Sequence, residues 1–387
     1  MDKEALEHSL ARRLLDHLEH RTTDLADGVL EIPTEVYLGA HHDREVKGLF
    51  LGQPLVLALS GALPDPGSYR TVDICGTPLL LVRGEDGKAR SFANACRHRG
   101  VRVVDGGGKT GRFTCPFHAW TYNLDGSLFR VPTPEGFEGM CLADKGLIEL
   151  PVAEGYGLIV GRLRHGLQHG PAVDIDDYLG PELAGELATL DFADWAPHRE
   201  PHVHQVGANW KVTLDTFREN YHFNFLHRKT LAKYAYGGVL TFDAFGPHLR
   251  NASALRSIDA LRAVPESEWV DPAQHVSYQY QLFPNTALTF DARHCELWQI
   301  LPLTPESSAV IHTAYLKPGL SDAERAKFEE MAPWICETVV DGEDFWVAGR
   351  TEPGVRTGLL ETVVFGRNEP APQHLHRAFA AALAEAE

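Results

Sequence analysis

The stretch CRHRGVRVVDGGGKTGRFTCPFHAW, residues 96–120, decides how the rest of the chain is read. It holds two short pairs, Cys96-Arg97-His98 and Cys115-Pro116-Phe117-His118, and each pair offers one thiolate and one imidazole on a tight loop. Gly106-Gly107-Gly108 between them lets the backbone turn closely. Two such loops point to a metal centre.

Ligand order narrows the metal. A zinc finger gives a Cys pair and then a His pair, whereas here each loop gives one of each. That interleaving suits a [2Fe-2S] cluster in which two Cys hold one iron and two His hold the other, the ligation of Rieske centres. A structural Cys2His2 zinc site is the alternative.

The 387 residues exceed the usual size of one domain, and 44% hydrophobic with 23% charged residues describes an ordinary globular protein. A formal charge of −17 argues against a nucleic-acid partner, which would draw on clustered Lys and Arg. The first twenty residues carry charges throughout and lack the apolar core of a signal peptide, and no later run is long enough to span a membrane. A cytoplasmic protein without disulfides is therefore expected, with Cys75, Cys141, Cys295 and Cys336 as small core residues.

Leu6, Leu10, Leu14 and Leu18 predict an amphipathic helix over residues 3–20. Runs at 55–59, 69–74, 79–83, 89–94, 120–123 and 148–160 predict strands, with Gly84-Glu85-Asp86-Gly87 as a hairpin turn. Together they make a small antiparallel β domain over 50–162, after an N-terminal segment (1–49) that packs with a second domain at 163–387. In the second domain, strands are expected at 276–282, 287–290, 295–301 and 310–316. A capping box at Ser321 to Glu324 should open a helix presenting Phe328, Met331, Ile335 and Val339 and ending or kinking near Gly342, and a last helix starts near residue 372.

A helix from Asn209 would place Asp215, Glu219 and His222 on one face. His227 lies about 140° further round, so both imidazoles can meet one ion only if the helix is distorted, which is expected at residues 223–226. Two imidazoles and a carboxylate on one side of an iron leave positions open on the other, the arrangement of mononuclear Fe(II) oxygenases, and Asp344 could supply the acid.

Taken together, Cys96-x-His98, Cys115-x-x-His118 followed by WTYNLDG, NWK at 209–211 and Glu219-x-x-His222-x4-His227 resemble the oxygenase (alpha) subunit of Rieske non-haem iron oxygenases. The resemblance implies an α+β fold: a Rieske antiparallel β domain set into a helix-grip catalytic domain, an antiparallel sheet covered by helices. It implies that Cys96, His98, Cys115 and His118 hold the cluster, and that His222, His227 and Asp344, in GEDFW, hold the mononuclear iron, with Glu343 and Asp341 as rival acids. Glu219 would be the bridging acid that links His222 to His118 of a neighbouring chain, with direct ligation of the iron as its rival role.

The sequence departs from the family pattern in three places. Ala119 stands where Gly is usual, Asp215-Thr216 replaces a frequent Glu-Asn pair, and the bridging acid is Glu where the ring dihydroxylases have Asp. The implied activity is O2-dependent hydroxylation of an aromatic or apolar small molecule, as in aromatic hydrocarbon catabolism. The alternative is oxidative demethylation of an N-methyl, O-methyl or quaternary ammonium compound. Electrons would come from NAD(P)H through a ferredoxin or flavin reductase, and the assembly implied is a homotrimer.

Overall fold

A computed structural model describes residues 2–163, 172–291 and 293–385. The chain divides into two units, one made of Phe50–Tyr178 and Asp191–Glu200, the other of Met1–Leu49, Leu179–Leu190 and Pro201–Glu387.

In the first unit, short apolar runs broken by Gly and Asp turns form antiparallel strands. Leu55–Leu59, Ser68–Ile74, Thr77–Arg83 and Ala89–Ala93 lie where alternation predicts them, and Gly87 at φ 79° turns the hairpin between the last two. A five-stranded antiparallel sheet runs in the order Glu149–Leu150, Ala89–Ala93, Thr77–Arg83, Ser68–Ile74, Gly107–Lys109. A smaller sheet of Phe113–Thr114, Thr121–Tyr122 and Leu128–Arg130 carries the second Cys-His loop between its first two strands. Leu80, Val82, Phe92, Phe113, Trp120 and Tyr122 form one core with Cys96 and Cys115.

The run expected as one strand at 148–160 is instead three, Glu149–Leu150, Val152–Gly155 and Leu158–Gly161. Tyr156 (φ 54°) and Gly157 (φ 76°) turn the chain back on itself there. The apolar pattern continues through the turn, which hides it.

The second unit is organised on an antiparallel sheet in which His202–Val206, Ser307–Leu316, His294–Thr304, Thr286–Phe290, Val276–Leu282, His248–Leu255 and Ala235–Phe245 succeed one another. The N-terminal helix Lys3–His20 buries Leu6, Leu10 and Leu14, while Leu18 is half-exposed. Arg13 anchors this helix to Asp24 (2.6 Å) and Asp243 (2.8 Å).

After the Ser321 capping box, the helix does not end at Gly342. It runs as an α-helix over Asp322–Pro333, widens to π-winding over Trp334–Asp344, and returns to α-winding over Phe345–Arg356. Pro333, which has no amide to donate, precedes the widened segment. Gly342 serves packing rather than termination, since a Cβ there would come 3.1 Å from the Glu337 carbonyl oxygen. A second helix, Pro370–Glu385, closes the described chain. Among the described residues no helix is long and apolar enough to cross a membrane. Of the four cysteines expected in the core, Cys295 is buried, Cys75 and Cys336 are half-buried, and Cys141 is exposed.

Candidate metal centres and the adjoining cavity

The two Cys-His loops of the first unit share one hydrogen-bonded turn. The Cys96 amide donates to Val101 O and the Gly100 amide returns to Cys96 O, both at 2.8 Å. The Cys115 amide donates to Trp120 O (2.8 Å) and the Ala119 amide to Cys115 O (3.0 Å). In each loop the fourth residue after Cys is left-handed, Gly100 at φ 79° and Ala119 at φ 55°. The departure at Ala119 is therefore conformational: a Cβ sits in a backbone region that costs an L-residue roughly 1–2 kcal/mol.

The loops bring the donors together in two pairs, imidazole with imidazole and thiol with thiol. The rings of His98 and His118 are 4.7 Å apart between centroids, and Cys96 and Cys115 are buried. Burial, and then a hydrogen bond with Cys96, raises the Cys115 thiol above its ordinary value. Nδ1 of His98 is buried and has no hydrogen-bond partner, and its ring is held by stacking on Trp120 at 5.1 Å with 6° between the planes. A buried, unpartnered imidazole nitrogen on loops that also carry two buried cysteines fits a metal cluster better than a packed core. Tyr122, which sequence reading placed only in a strand, is part of this site: its hydroxyl lies 3.2 Å from Cys96 Sγ and accepts the Arg97 amide at 3.0 Å.

In the second unit, Asn209 caps a helix that lasts only from Trp210 to Asp215. The break therefore comes before His222, earlier than the expected 223–226, and His222 sits on a separate 3-10 turn, Tyr221–Asn224. Asp215 does not share a face with Glu219 and His222. Its carboxylate accepts from the Tyr37 hydroxyl (3.0 Å) and meets His376 Nε2 (3.1 Å).

The break lets the two imidazoles converge. His222, His227 and Asp344 each place one donor atom within 4.8 Å of the others. Asp344 Oδ1 is 3.1 Å from His227 Nε2 and 3.5 Å from His222 Nε2. Each imidazole is held from behind through Nδ1, His222 by Glu219 Oε1 and His227 by Glu343 Oε2 at 2.7 Å. Glu343 also accepts from the Thr230 hydroxyl at 2.5 Å. The three rival acids are thereby separated: Asp344 faces both Nε2 atoms, Glu343 supports His227, and Asp341 meets His204 Nδ1 at 2.7 Å. Glu219 is turned away from direct ligation, since its other oxygen accepts the amides of Tyr221 and His222.

The electrostatics are those of a cation site. Burial opposes protonation of His222, but hydrogen bonds to Asp344 and Glu219 and their charges outweigh it and raise its pKa to about 9. Burial likewise opposes ionisation of Asp344, and the two imidazoles overcome it and lower its pKa. Two imidazoles and a carboxylate, each fixed by a second hydrogen-bonding group, suit a mononuclear iron with open positions.

That site forms part of the wall of a cavity of about 300 Å³, to which Phe217, Tyr234, Phe290, Asp291, Glu296 and Trp298 also contribute. Asp291 is held ionised: burial opposes its charge, but His294 at 3.1 Å and the backbone amides of Arg293 and His294 hold its pKa near 2. Burial raises the pKa of Glu296, with Asp291 adding to the rise and His294 opposing it.

The fold and the two donor sets suit a protein with one domain for a [2Fe-2S] cluster and another for a mononuclear iron. The chain belongs to the ring-hydroxylating oxygenase alpha subunits: residues 192–385 match the ring hydroxylating alpha subunit (catalytic domain) family, and residues 53–146 match the Rieske [2Fe-2S] domain family. It is similar to the glycine betaine monooxygenase oxygenase subunit of Chromohalobacter salexigens, with 33% identity over 48% of this chain and 40% of that protein. It is also similar to the terephthalate 1,2-dioxygenase terminal oxygenase component subunit alpha 2 of a Comamonas species, with 29% identity over 51% of this chain and 48% of that protein. The matched region thus spans less than half the length of each of these relatives. In fold it resembles the quaternary ammonium Rieske monooxygenase CntA in complex with L-carnitine, at a TM-score of 0.75, 19% identity and 97% coverage of both chains.

Proposed function

We propose that the protein is the oxygenase component of a Rieske system that hydroxylates a C–H bond on a nitrogen-bearing small molecule. An N-methyl or quaternary ammonium group is the preferred target, and an N-methyl carbon so hydroxylated leaves as formaldehyde. The observation that carries this reading is the placement of His222, His227 and Asp344 in the wall of a cavity that combines aromatic faces with the carboxylates Asp291 and Glu296. Aromatic rings and a carboxylate together receive an ammonium group. A cation beside Glu296 would offset the cost of burying its charge. Similarity to the glycine betaine enzyme supports the same substrate class.

Cys96, His98, Cys115 and His118 would hold the cluster, and His222, His227 and Asp344 the mononuclear iron. When bound, the cluster supplies single electrons, drawn from NAD(P)H through a ferredoxin or flavin reductase, and the iron supplies O2 reduction. Glu219 and Glu343 keep each Nε2 aimed at the metal by holding Nδ1, which fixes the tautomer. Phe217, Phe290 and Trp298 exclude water and pack the substrate.

Glu219 also borders a surface depression beside Tyr221 and Phe225, two aromatic side chains that are 52% and 72% exposed. An exposed aromatic patch of this kind suits a subunit contact, so a second copy, in a homotrimer, would bring its His118 to Glu219.

A second reading, hydroxylation of an aromatic ring, is favoured by the mainly apolar lining of the cavity and by similarity to the terephthalate enzyme. Reconstitution with a reductase, NADH and a panel of N-methylated and aromatic compounds separates the two. Formaldehyde released in step with NADH consumption supports demethylation. A phenol or diol without formaldehyde overturns it in favour of ring attack.

A further inference from the structure

A second donor cluster lies on another part of the catalytic unit, around His204, and none of its residues belongs to the iron site. His202 and His204 alternate along the strand His202–Val206, which pairs with Ser307–Leu316 so that His202 stands opposite His312. Cys336 and Asp341 reach the same place from the π-wound segment Trp334–Asp344. One donor atom from each of His204, His312 and Cys336 lies within 4.8 Å of the other two.

The hydrogen bonds assign the donor atoms. His204 gives Nδ1 to Asp341 Oδ1 at 2.7 Å, and its remaining nitrogen, Nε2, is buried without a hydrogen-bond partner although the side chain is wholly enclosed. Nδ1 of His312 lies 3.3 Å from Cys336 Sγ, the separation expected of two donors about to share one tetrahedral ion. Nε2 of His312 has no hydrogen-bond partner and faces Glu296 Oε1 at 3.9 Å. The ring is fixed by face-to-face stacking on Trp298 at 3.7 Å, and His204 by Phe345 at 5.3 Å.

An imidazole whose far nitrogen is held by a carboxylate and whose near nitrogen is buried and unpaired is the usual form of a metal-ligating histidine. A plain core histidine would leave that nitrogen a partner or exchange it for carbon. His202, exposed and 4.4 Å from the His204 ring, lies at the solvent side and offers a way in and a fourth donor position.

The geometry points to a zinc site built from His204 Nε2, His312 Nδ1 and Cys336 Sγ, with Asp341 orienting His204. The donor set selects the ion class: two imidazoles and a thiolate suit Zn2+, whereas Mg2+ and Ca2+ require oxygen. Bound there, the ion would tie the strand pair to the segment whose last two residues are Glu343 and Asp344, and would fix Trp298 in the cavity wall through His312. The site would thus act as a structural clamp on the element that carries the third iron ligand. The proposal is independent of the substrate and of iron loading.

The test uses the full-length protein with its cluster intact and the substitution Asp344→Ala, which keeps zinc out of the mononuclear site. After equilibration in a Zn2+ buffer and removal of loose metal, zinc per chain is measured by mass spectrometry and its neighbours by X-ray absorption at the zinc edge. We expect about one zinc per chain, with a sulfur neighbour at about 2.3 Å and nitrogen at about 2.0–2.1 Å. Adding Cys336→Ser should remove the sulfur neighbour and most of the zinc. Adding Asp341→Asn, at a part-exposed position that the fold tolerates, should weaken zinc binding ~10–100-fold. No retained zinc, zinc without a sulfur neighbour, or equal zinc content in the Cys336→Ser protein would overturn the proposal.

Discussion

The two candidate metal centres are built in opposite ways. The cluster loops are local: both Cys-His pairs fall within residues 96–118, and each is shaped by hydrogen bonds that the loop makes with itself. The mononuclear site is assembled at long range, from a 3-10 turn at Tyr221–Asn224, from His227 beyond it, and from the end of a π-wound segment more than a hundred residues later. A local site fixes its donors by backbone geometry. An assembled one must fix each donor separately, which is why Glu219 and Glu343 stand behind the two imidazoles while His98 relies on stacking.

If that contrast is right, Asp344→Ala should have the largest effect: product formation should fall to background while the visible and electron-paramagnetic signatures of the reduced cluster stay as in the wild type. Loss of the cluster signal in the same variant would mean that the two sites are not separately built.

Glu343→Gln comes next. Without the carboxylate, the aim of His227 Nε2 is lost, and iron affinity at the mononuclear site should drop ~10–100-fold with cluster content unchanged, read by iron titration. Unchanged affinity would show that the imidazole is held by packing alone.

On the local side, Tyr122→Phe should leave the cluster in place and lower its reduction potential by on the order of 50 mV, because it removes one hydrogen bond of about 1 kcal/mol from the Cys96 sulfur. Protein-film voltammetry reads this directly, and an unshifted potential would remove Tyr122 from the site.

The smallest effect belongs to Ala119→Gly. It should stabilise the first unit by about 0.5–1 kcal/mol in chemical denaturation, the relief of a left-handed alanine less the greater freedom of glycine in the unfolded chain. Destabilisation would mean that the Ala119 methyl packs usefully.

The same contrast explains what was legible in the sequence. The proposed cluster residues stand in one stretch because their spacing is the turn. The longer strands of the first unit were equally plain, but the short Gly107–Lys109, Phe113–Thr114 and Leu128–Arg130 were not expected, and at Tyr156-Gly157 the apolar pattern runs on through a turn. At the assembled site, the motif Glu219 to His227 indicated the imidazoles, but a helical period was the wrong guide to their geometry, because the helix already ends at Asp215. Choosing among Asp341, Glu343 and Asp344 required the π-winding of residues 334–344, for which Gly342 and Pro333 look like ordinary helix-breaking signals. Tyr122 stood in plain view, but nothing in a strand pattern says that a hydroxyl will reach the sulfur of Cys96, 26 residues earlier.

One chain should carry both a two-iron cluster and a separate mononuclear iron. Analysis of iron and acid-labile sulfide in the purified wild-type protein tests it most directly. About three irons and about two sulfides per chain are predicted, falling to about two irons with sulfide unchanged in Asp344→Ala. Two irons per chain in the fully loaded wild type, or zinc in place of the cluster, would contradict it.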